Sequence, residues 1–378
     1  MIERYLEPYV LKDLRRKMVF VGGARQTGKT TLAKRLAKNF RNSQYFNWDD
    51  DENRRSVLER KWTQSDELII LDEIHKYGRW KRWLKGLYDT QGDRHKFLVT
   101  GSSRLDVYRR GGDSLLGRYH YWRLHPFTLS ECPQKIKLKE ALERLLRVGG
   151  FPEPFLHFDE AQARRWRRER FDRILRDDVR DLENVRDISL LGFFVDALRK
   201  RVGSPVVLSN IAQELEISPK TAAHWLEILE RMYVVFKVLP YTRNLPRAIK
   251  KPPKVYFFDN GDVLGDEGAV FENLIATHLL KQLHFQEDSR GYRMELRYIR
   301  DKEGREVDFA ILKEGKLTHL LEAKYSDQNI DKNLVYYSER FSPSKAIQVV
   351  CQLTRPYDRG KLNVVSPIPL LAADLSFD

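Results

Sequence analysis

The sequence predicts an α/β chain of several domains, and three observations carry that prediction. Up to about Pro126, short continuous apolar runs alternate with amphipathic stretches, the pattern of a parallel sheet covered by helices on both faces. A helix, a short turn, a second helix and a strand follow between Val206 and Leu239. The final third, beginning near Gly265, reads as one helix and then strands joined by short turns. A length of 378 residues suits two or three domains at roughly 100–200 residues each. The expected divisions are 1–128, 129–200, 201–255 and 256–378.

In the first division, Lys17-Met18-Val19-Phe20-Val21, Glu67-Leu68-Ile69-Ile70-Leu71 and Lys96-Phe97-Leu98-Val99-Thr100 read as buried strands. Thr30 to Phe40 has helical spacing through Leu32, Ala33, Leu36 and Ala37. In the second, Pro133 and the breaker Gly149-Gly150-Phe151-Pro152 bracket a short helix, Leu138 to Val148. The most basic stretch follows, Arg164-Arg165-Trp166-Arg167-Arg168-Glu169-Arg170 and on through Arg173, Arg176 and Arg180. It reads as an amphipathic helix whose arginine face is either simply solvated or in contact with phosphates.

In the third division, Ser209 is a candidate cap for a helix carrying Ile211, Ala212 and Leu215, and Ser218-Pro219 starts the next. With the strand Tyr233 to Val238, this is a winged-helix layout. Lys220, Thr221 and His224 are its candidate exposed positions, few for reading a major groove, so DNA contact and internal packing both stay open. Arg243, Arg247, Lys250, Lys251 and Lys254 add cations just beyond it, which favours phosphate contact. In the last division, Phe271 to Leu283 is helical, and Leu296–Ile299, Val307–Leu312, Leu317–Leu321 and Ala346–Val350 read as strands.

Composition narrows the function. Hydrophobic residues are 42% and charged residues 32%, apolar enough for real cores. Lys and Arg number 68 against 54 Asp and Glu, a net charge of +14 that favours a polyanion such as nucleic acid, or else an anionic membrane surface. No run approaches the roughly 20 apolar residues of a membrane span, and Met1 to Glu7 lacks the form of a secretion signal. Cys132 and Cys351 lie far apart, so neither a disulfide framework nor a zinc cluster is expected. A reducing cytoplasm, with no membrane partner, is the expected setting.

Gly23-Ala24-Arg25-Gln26-Thr27-Gly28-Lys29-Thr30 matches G-x-x-x-x-G-K-[ST] completely, between a strand and a helix. The glycines let the backbone wrap so that its N–H groups face a β-phosphate, and the helix N-terminus adds its positive end. Lys29 is expected to neutralise phosphate charge, Thr30 to ligate Mg²⁺, and Thr31 to complete the nucleotide-binding run. The strand Leu68 to Leu71 ends in Asp72 and Glu73. Asp72 is expected to hold the metal and Glu73 to orient the attacking water. Beyond the next strand, Ser102, with Ser103 close behind, is the candidate reporter of the γ-phosphate, and Arg118 the candidate arginine acting on a neighbouring subunit's nucleotide.

At these residues the chain resembles AAA+ ATPases. It is more closely similar to a bacterial and archaeal family with an N-terminal ATPase, a middle winged helix and a C-terminal domain of unknown function. The resemblance also rests on Leu71-Asp72-Glu73-Ile74-His75, Gly149-Gly150-Phe151-Pro152-Glu153, Tyr256-Phe257-Phe258-Asp259-Asn260-Gly261, Phe271-Glu272-Asn273 and Glu306-Val307-Asp308-Phe309. It implies a cytoplasmic ATP-hydrolysing enzyme that forms rings or other homo-oligomers. In the last division, Asp308 followed after a hairpin-sized gap by Glu322-Ala323-Lys324 resembles the PD-(D/E)xK motif of restriction-endonuclease-like nucleases. That resemblance implies Asp308 and Glu322 sharing a Mg²⁺, Lys324 as the catalytic lysine on the same strand face as Glu322, and Glu272 as an additional acidic ligand. Val307 stands where the motif has proline. A salt-bridged strand pair, or the same fold without catalysis, would leave the same residues.

Two functions follow. One is an ATP-driven machine on DNA with a C-terminal module that cleaves or grips it. The alternative is a nucleotide-controlled oligomeric switch with a catalytically inactive C-terminal domain.

Overall fold

The structure, a computed structural model, describes residues 2–101, 115–133, 135–179, 188–242, 251–327 and 329–373. The chain forms two compact units, Met1–His125 with Arg231–Tyr233, and Pro126–Glu230 with Val234–Asp378.

The first unit contains α1 (Glu7–Leu14), β1 (Met18–Gly22), α2 (Lys29–Ala37), β2 (Ser43–Asn47), α3 (Asp51–Glu59), β3 (Leu68–Asp72), α4 (Trp80–Gln91), β4 (Lys96–Thr100) and β5 (Tyr119–Arg123). The strands make one sheet in the order β2-β3-β4-β1-β5, and every pairing is parallel. β1 and β3 are buried along their whole length, which is why their sequences are apolar without alternation. Phe20, Ile69, Leu71, Phe97, Trp80 and Leu84 share one core with them. Burying each such side chain contributes about 1.5–3 kcal/mol. Register fixes what lies at the carboxyl edge. Asp72 is level with Thr100 and Thr100 with Val21, so the chain leaving β1, β3 and β4 delivers its polar residues to one place.

The second unit contains α5 (Leu138–Val148), α6 (Pro152–His157), α7 (Glu160–Arg173), α8 (Ile188–Arg199), α9 (Leu208–Glu214), α10 (Pro219–Arg231, its last residue in the first unit), β6 (Val235–Pro240), β7 (Lys254–Phe257), α11 (Glu267–Arg290), β8 (Met294–Arg300), β9 (Glu306–Lys313), β10 (Lys316–Lys324), α12 (Lys332–Phe341), β11 (Lys345–Val350), β12 (Tyr357–Arg359), β13 (Leu362–Val365) and α13 (Pro367–Ala372). Its sheet runs β12-β13-β11-β10-β9-β8-β6-β7. β8, β9 and β10 form an antiparallel meander, and α12 carries the chain over to β11, which lies parallel to β10. The β9–β10 hairpin closes through Glu314 and Gly315 at φ 51° and 76°, the paired positive values of a tight two-residue turn. β6 pairs antiparallel with β7 and, at Leu239 and Pro240, parallel with β8. α11 is longer than its apolar spacing suggests, because Asp266 caps its first turn and Gly291 ends it at φ 74°. Among the described residues no helix is long and apolar enough to cross a membrane.

The basic stretch on α7 is not one solvated face. Arg164 and Arg165 are exposed and pair with Glu160 and Glu169. Arg170 is buried over the Phe151 ring, 4.0 Å from its centroid, and Arg167 and Arg170 face the buried Asp259 and Asp262. Part of the positive charge therefore stabilises the interior of the unit.

Candidate functional site

The loop between β1 and α2 has the backbone that its glycines predict. Gly23 lies at φ 146°, and a Cβ there would be 2.3 Å from the Leu124 carbonyl oxygen. Gly28 lies at φ 92° immediately before α2. Ala24, Arg25, Gln26 and Thr27 make the turn, with Gln26 at φ 67° and the Thr27 hydroxyl donating to the Ala24 carbonyl at 2.8 Å. The Lys29 ammonium is buried and donates to the carbonyls of Gly23 and Ala24 at 3.0 and 2.8 Å, so it lies folded into the loop. Thr31 is exposed on the first turn of α2.

Asp72 is the polar centre of the site. Its Oδ2 accepts from the Thr30 hydroxyl at 2.8 Å and from the Tyr45 hydroxyl at 2.7 Å, and its Oδ1 accepts from the Thr100 hydroxyl at 2.6 Å. A hydroxyl and a carboxylate converging in this way are the hard oxygen donors that Mg²⁺ takes while keeping several waters. Thr30 and Asp72 therefore suit the metal expected there. Burial and the bond to Asp72 push the Tyr45 phenol well above its ordinary range, so it stays a donor. Glu73 follows at φ 58°, a left-handed conformation rare for a glutamate, with its N–H bonded to the Thr100 carbonyl at 2.9 Å. Burial raises its carboxyl above the ordinary value, opposed by the charge of Lys29 and reinforced by Asp72. His75 Nε2 is 3.5 Å from its carboxylate.

Arg4, which no sequence motif singles out, supports this loop. Its buried guanidinium donates to the carbonyls of Thr27 at 2.8 Å and His125 at 2.6 Å. Arg118 grips Asp89 on α4 with two hydrogen bonds of 2.6 and 3.1 Å, and this contact lowers the Asp89 carboxyl's pKa. Ser102 and Ser103 lie outside the described residues, as do Arg180, Arg243, Arg247 and Lys250.

The second unit brings the other predicted residues together around Lys254, a cation expected from sequence to favour phosphate contact. Lys254 is fully buried on β7. Its Nζ is 3.0 Å from Glu272, 3.0 Å from Asp308 and 2.7 Å from Glu306. Burial alone would lower its pKa, but Asp308, Tyr256, Glu272 and Glu306 outweigh it and hold the ammonium charged. Asp308 on β9 and Glu322 on β10 are neighbours through the ladder. The Asp308 N–H donates to Glu322 Oε2 at 3.2 Å, and the Ala323 N–H to Asp308 Oδ2 at 3.1 Å. Lys324 pairs with Glu322 at 2.8 Å and with Asp331 at 3.1 Å. Burial and the charge of Asp308 push Glu272 up to about 7, although Lys254 and the Tyr256 hydroxyl oppose the shift. Burial likewise raises Glu322. Among the described residues no group of three or more His, Cys, Asp or Glu side chains is placed to hold a metal ion. The metal set Glu272, Asp308 and Glu322 thus lies close together, but its oxygens face lysines and backbone donors, and it does not suit a resident divalent ion in this arrangement.

Residues 15–132 match a family described as an AAA domain, and residues 139–263 and 267–371 match two families described as domains of unknown function. An uncharacterized protein of Haemophilus influenzae is 23% identical over 363 residues, 85% of this chain and 86% of its own. One of Methanocaldococcus jannaschii is 22% identical over 389 residues, 93% of this chain and 84% of its own. One of Mycobacterium tuberculosis is 24% identical over 258 residues, 65% of this chain and 55% of its own, so the match spans about half of that relative. Among solved structures, a Walker-type ATPase of Pyrococcus abyssi is 16% identical with a TM-score of 0.41, covering 71% of this chain and 96% of that one. A RuvB variant of Thermotoga maritima is 18% identical with a TM-score of 0.34, covering 66% and 95%. The N-terminal unit is P-loop ATPase-like, and its sheet lies within the stretch that is similar to the AAA domain family.

Proposed function

We propose that the chain is a Mg²⁺-dependent, oligomeric ATPase that acts on DNA, and that its second unit grips the nucleic acid under nucleotide control. The observation that carries this reading is the convergence of the Gly23–Thr30 loop, Thr30, Asp72 and Glu73 at one sheet edge. Magnesium held by Thr30 and Asp72 would neutralise phosphate charge in the transition state. Lys29 exchanges the carbonyls of Gly23 and Ala24 for the β- and γ-phosphates. The N–H groups from Gly23 to Thr31 cradle the nucleotide at the start of α2. Glu73 orients the attacking water, and burial, by raising its pKa, makes its carboxylate a stronger base toward that water. Ser102 senses the γ-phosphate. Arg118 leaves Asp89 to act on a neighbouring subunit's nucleotide.

The net charge of +14 supports a polyanionic partner. α9, α10 and the β6–β7 hairpin support a winged-helix element, with Lys220 and His224 exposed. The order α11-β8-β9-β10-α12-β11 supports the nuclease-like reading of the fold. The engaged oxygens of Asp308 and Glu322, and the pairing of Lys324 with Glu322, favour gripping over cutting. They also favour the switch reading, in which the nucleotide sets oligomer state.

Fluorescence anisotropy on labelled duplex DNA tests the proposal. Binding should weaken steeply with salt and differ between ATP and ADP, and Lys29→Ala should abolish that difference. Binding that ignores the nucleotide, or no binding at low salt, would overturn it.

A further inference from the structure

We infer that Lys254 is the resident cation of the C-terminal carboxylate cluster, occupying the place of a divalent ion, and that a metal site lies latent beneath it. The inference goes beyond the ATPase reading and does not rest on it. Its basis is the count of engaged oxygens. Asp308 gives Oδ1 to Lys254 and Oδ2 to the Ala323 N–H. Glu306 gives Oε1 to Lys254 and Oε2 to Arg300 at 2.7 Å. Glu322 gives Oε1 to Lys324 and Oε2 to the Asp308 N–H. Glu272 gives Oε1 to both Lys254 and the Tyr256 hydroxyl. Its Oε2 is covered by Gly203, where a Cβ would come within 2.6 Å.

Three carboxylates from β9 and α11 thus point at one ammonium, which has no exposed surface. Their oxygens lie 2.7–3.0 Å from Nζ, the spacing of charge-assisted hydrogen bonds. A hard divalent cation asks for the same convergence of oxygens at shorter range. Lys254 satisfies the cluster at lower charge and tethers β7 to β9 and α11. A metal could enter only by expelling a buried side chain whose partners would then need a new cation. While Lys254 is in place, Asp308 and Glu322 do not assemble a metal-dependent cleavage site.

The test is Mn²⁺ binding to the full-length chain without nucleotide, read by electron paramagnetic resonance. Wild type and Asp308→Asn should bind Mn²⁺ equally, because the cluster takes none. Lys254→Met should gain one tight Mn²⁺ per chain, and adding Asp308→Asn to it should abolish the gain. Mn²⁺ binding by the wild type that disappears in Asp308→Asn would overturn the inference. So would a folded Lys254→Met chain that gains no ion. If Lys254→Met does not fold, Lys254→Gln replaces it in the same comparison, with a gain of one Mn²⁺ expected and no gain overturning the inference. ATP turnover and DNA binding read the ATPase proposal independently.

Discussion

Replacing Arg4 with methionine removes a guanidinium while keeping most of the buried stem. The hydrogen bonds to the carbonyls of Thr27 and His125 disappear. Each bond from a charged donor is worth about 1.5–3 kcal/mol, so the low-end loss is about 3 kcal/mol. For a unit of this size, a loss of that order lowers Tm by roughly 10 °C. Thr27 lies within the phosphate loop, so part of the loss falls on nucleotide binding. If half does, ATP binds roughly tenfold more weakly. Differential scanning fluorimetry and titration with a fluorescent ATP analogue measure the two effects. A lower Tm with unchanged affinity would make Arg4 purely structural. A Tm within about 2 °C of wild type together with unchanged affinity would mean that these bonds support neither the fold nor the loop.

Gly23→Ala should abolish nucleotide binding while leaving the second unit folded, because its Cβ meets the Leu124 carbonyl in a backbone region that alanine avoids. Titration and circular dichroism check both parts. His278 is buried, with Nδ1 against the Leu274 carbonyl at 2.8 Å and Nε2 accepting from the Leu129 N–H at 3.0 Å. Burial holds its pKa down to about 4, with Lys281 nearby lowering it further and Glu131 opposing. Because the folded value lies below the ordinary 6.5, the stability is complete above that pH and is lost as pH falls toward 4, by about 3 kcal/mol. Urea unfolding of wild type and His278→Gln between those pH values should show a shallower acid loss in the variant.

What could be read from the sequence was local. The phosphate loop is a contiguous string, and β1, β3 and β4 are continuous apolar runs, so pattern alone placed Lys29, Thr30, Asp72 and Glu73. β2 escaped because Ser43 and Gln44 are exposed at a sheet edge. Tyr45 and Arg4 escaped because their partners lie 27 and 121 residues away, at Asp72 and His125. Lys254 was misread for a physical reason. A lysine in a basic, proline-bearing stretch looks solvated, and only the packing of β7 against β9 and α11 gives it three carboxylates. Arg167 and Arg170 follow the same rule, since Asp259 and Asp262 arrive from 92 residues further along the chain.

The most direct measurement is steady-state ATP hydrolysis by the purified chain, with and without Mg²⁺ and with and without duplex DNA, beside Lys29→Ala and Glu73→Gln. Mg²⁺-dependent turnover is expected, stimulated by DNA and abolished by both substitutions, with Glu73→Gln still binding ATP. Turnover that survives Lys29→Ala, or a wild type that neither binds nor hydrolyses ATP, would contradict it.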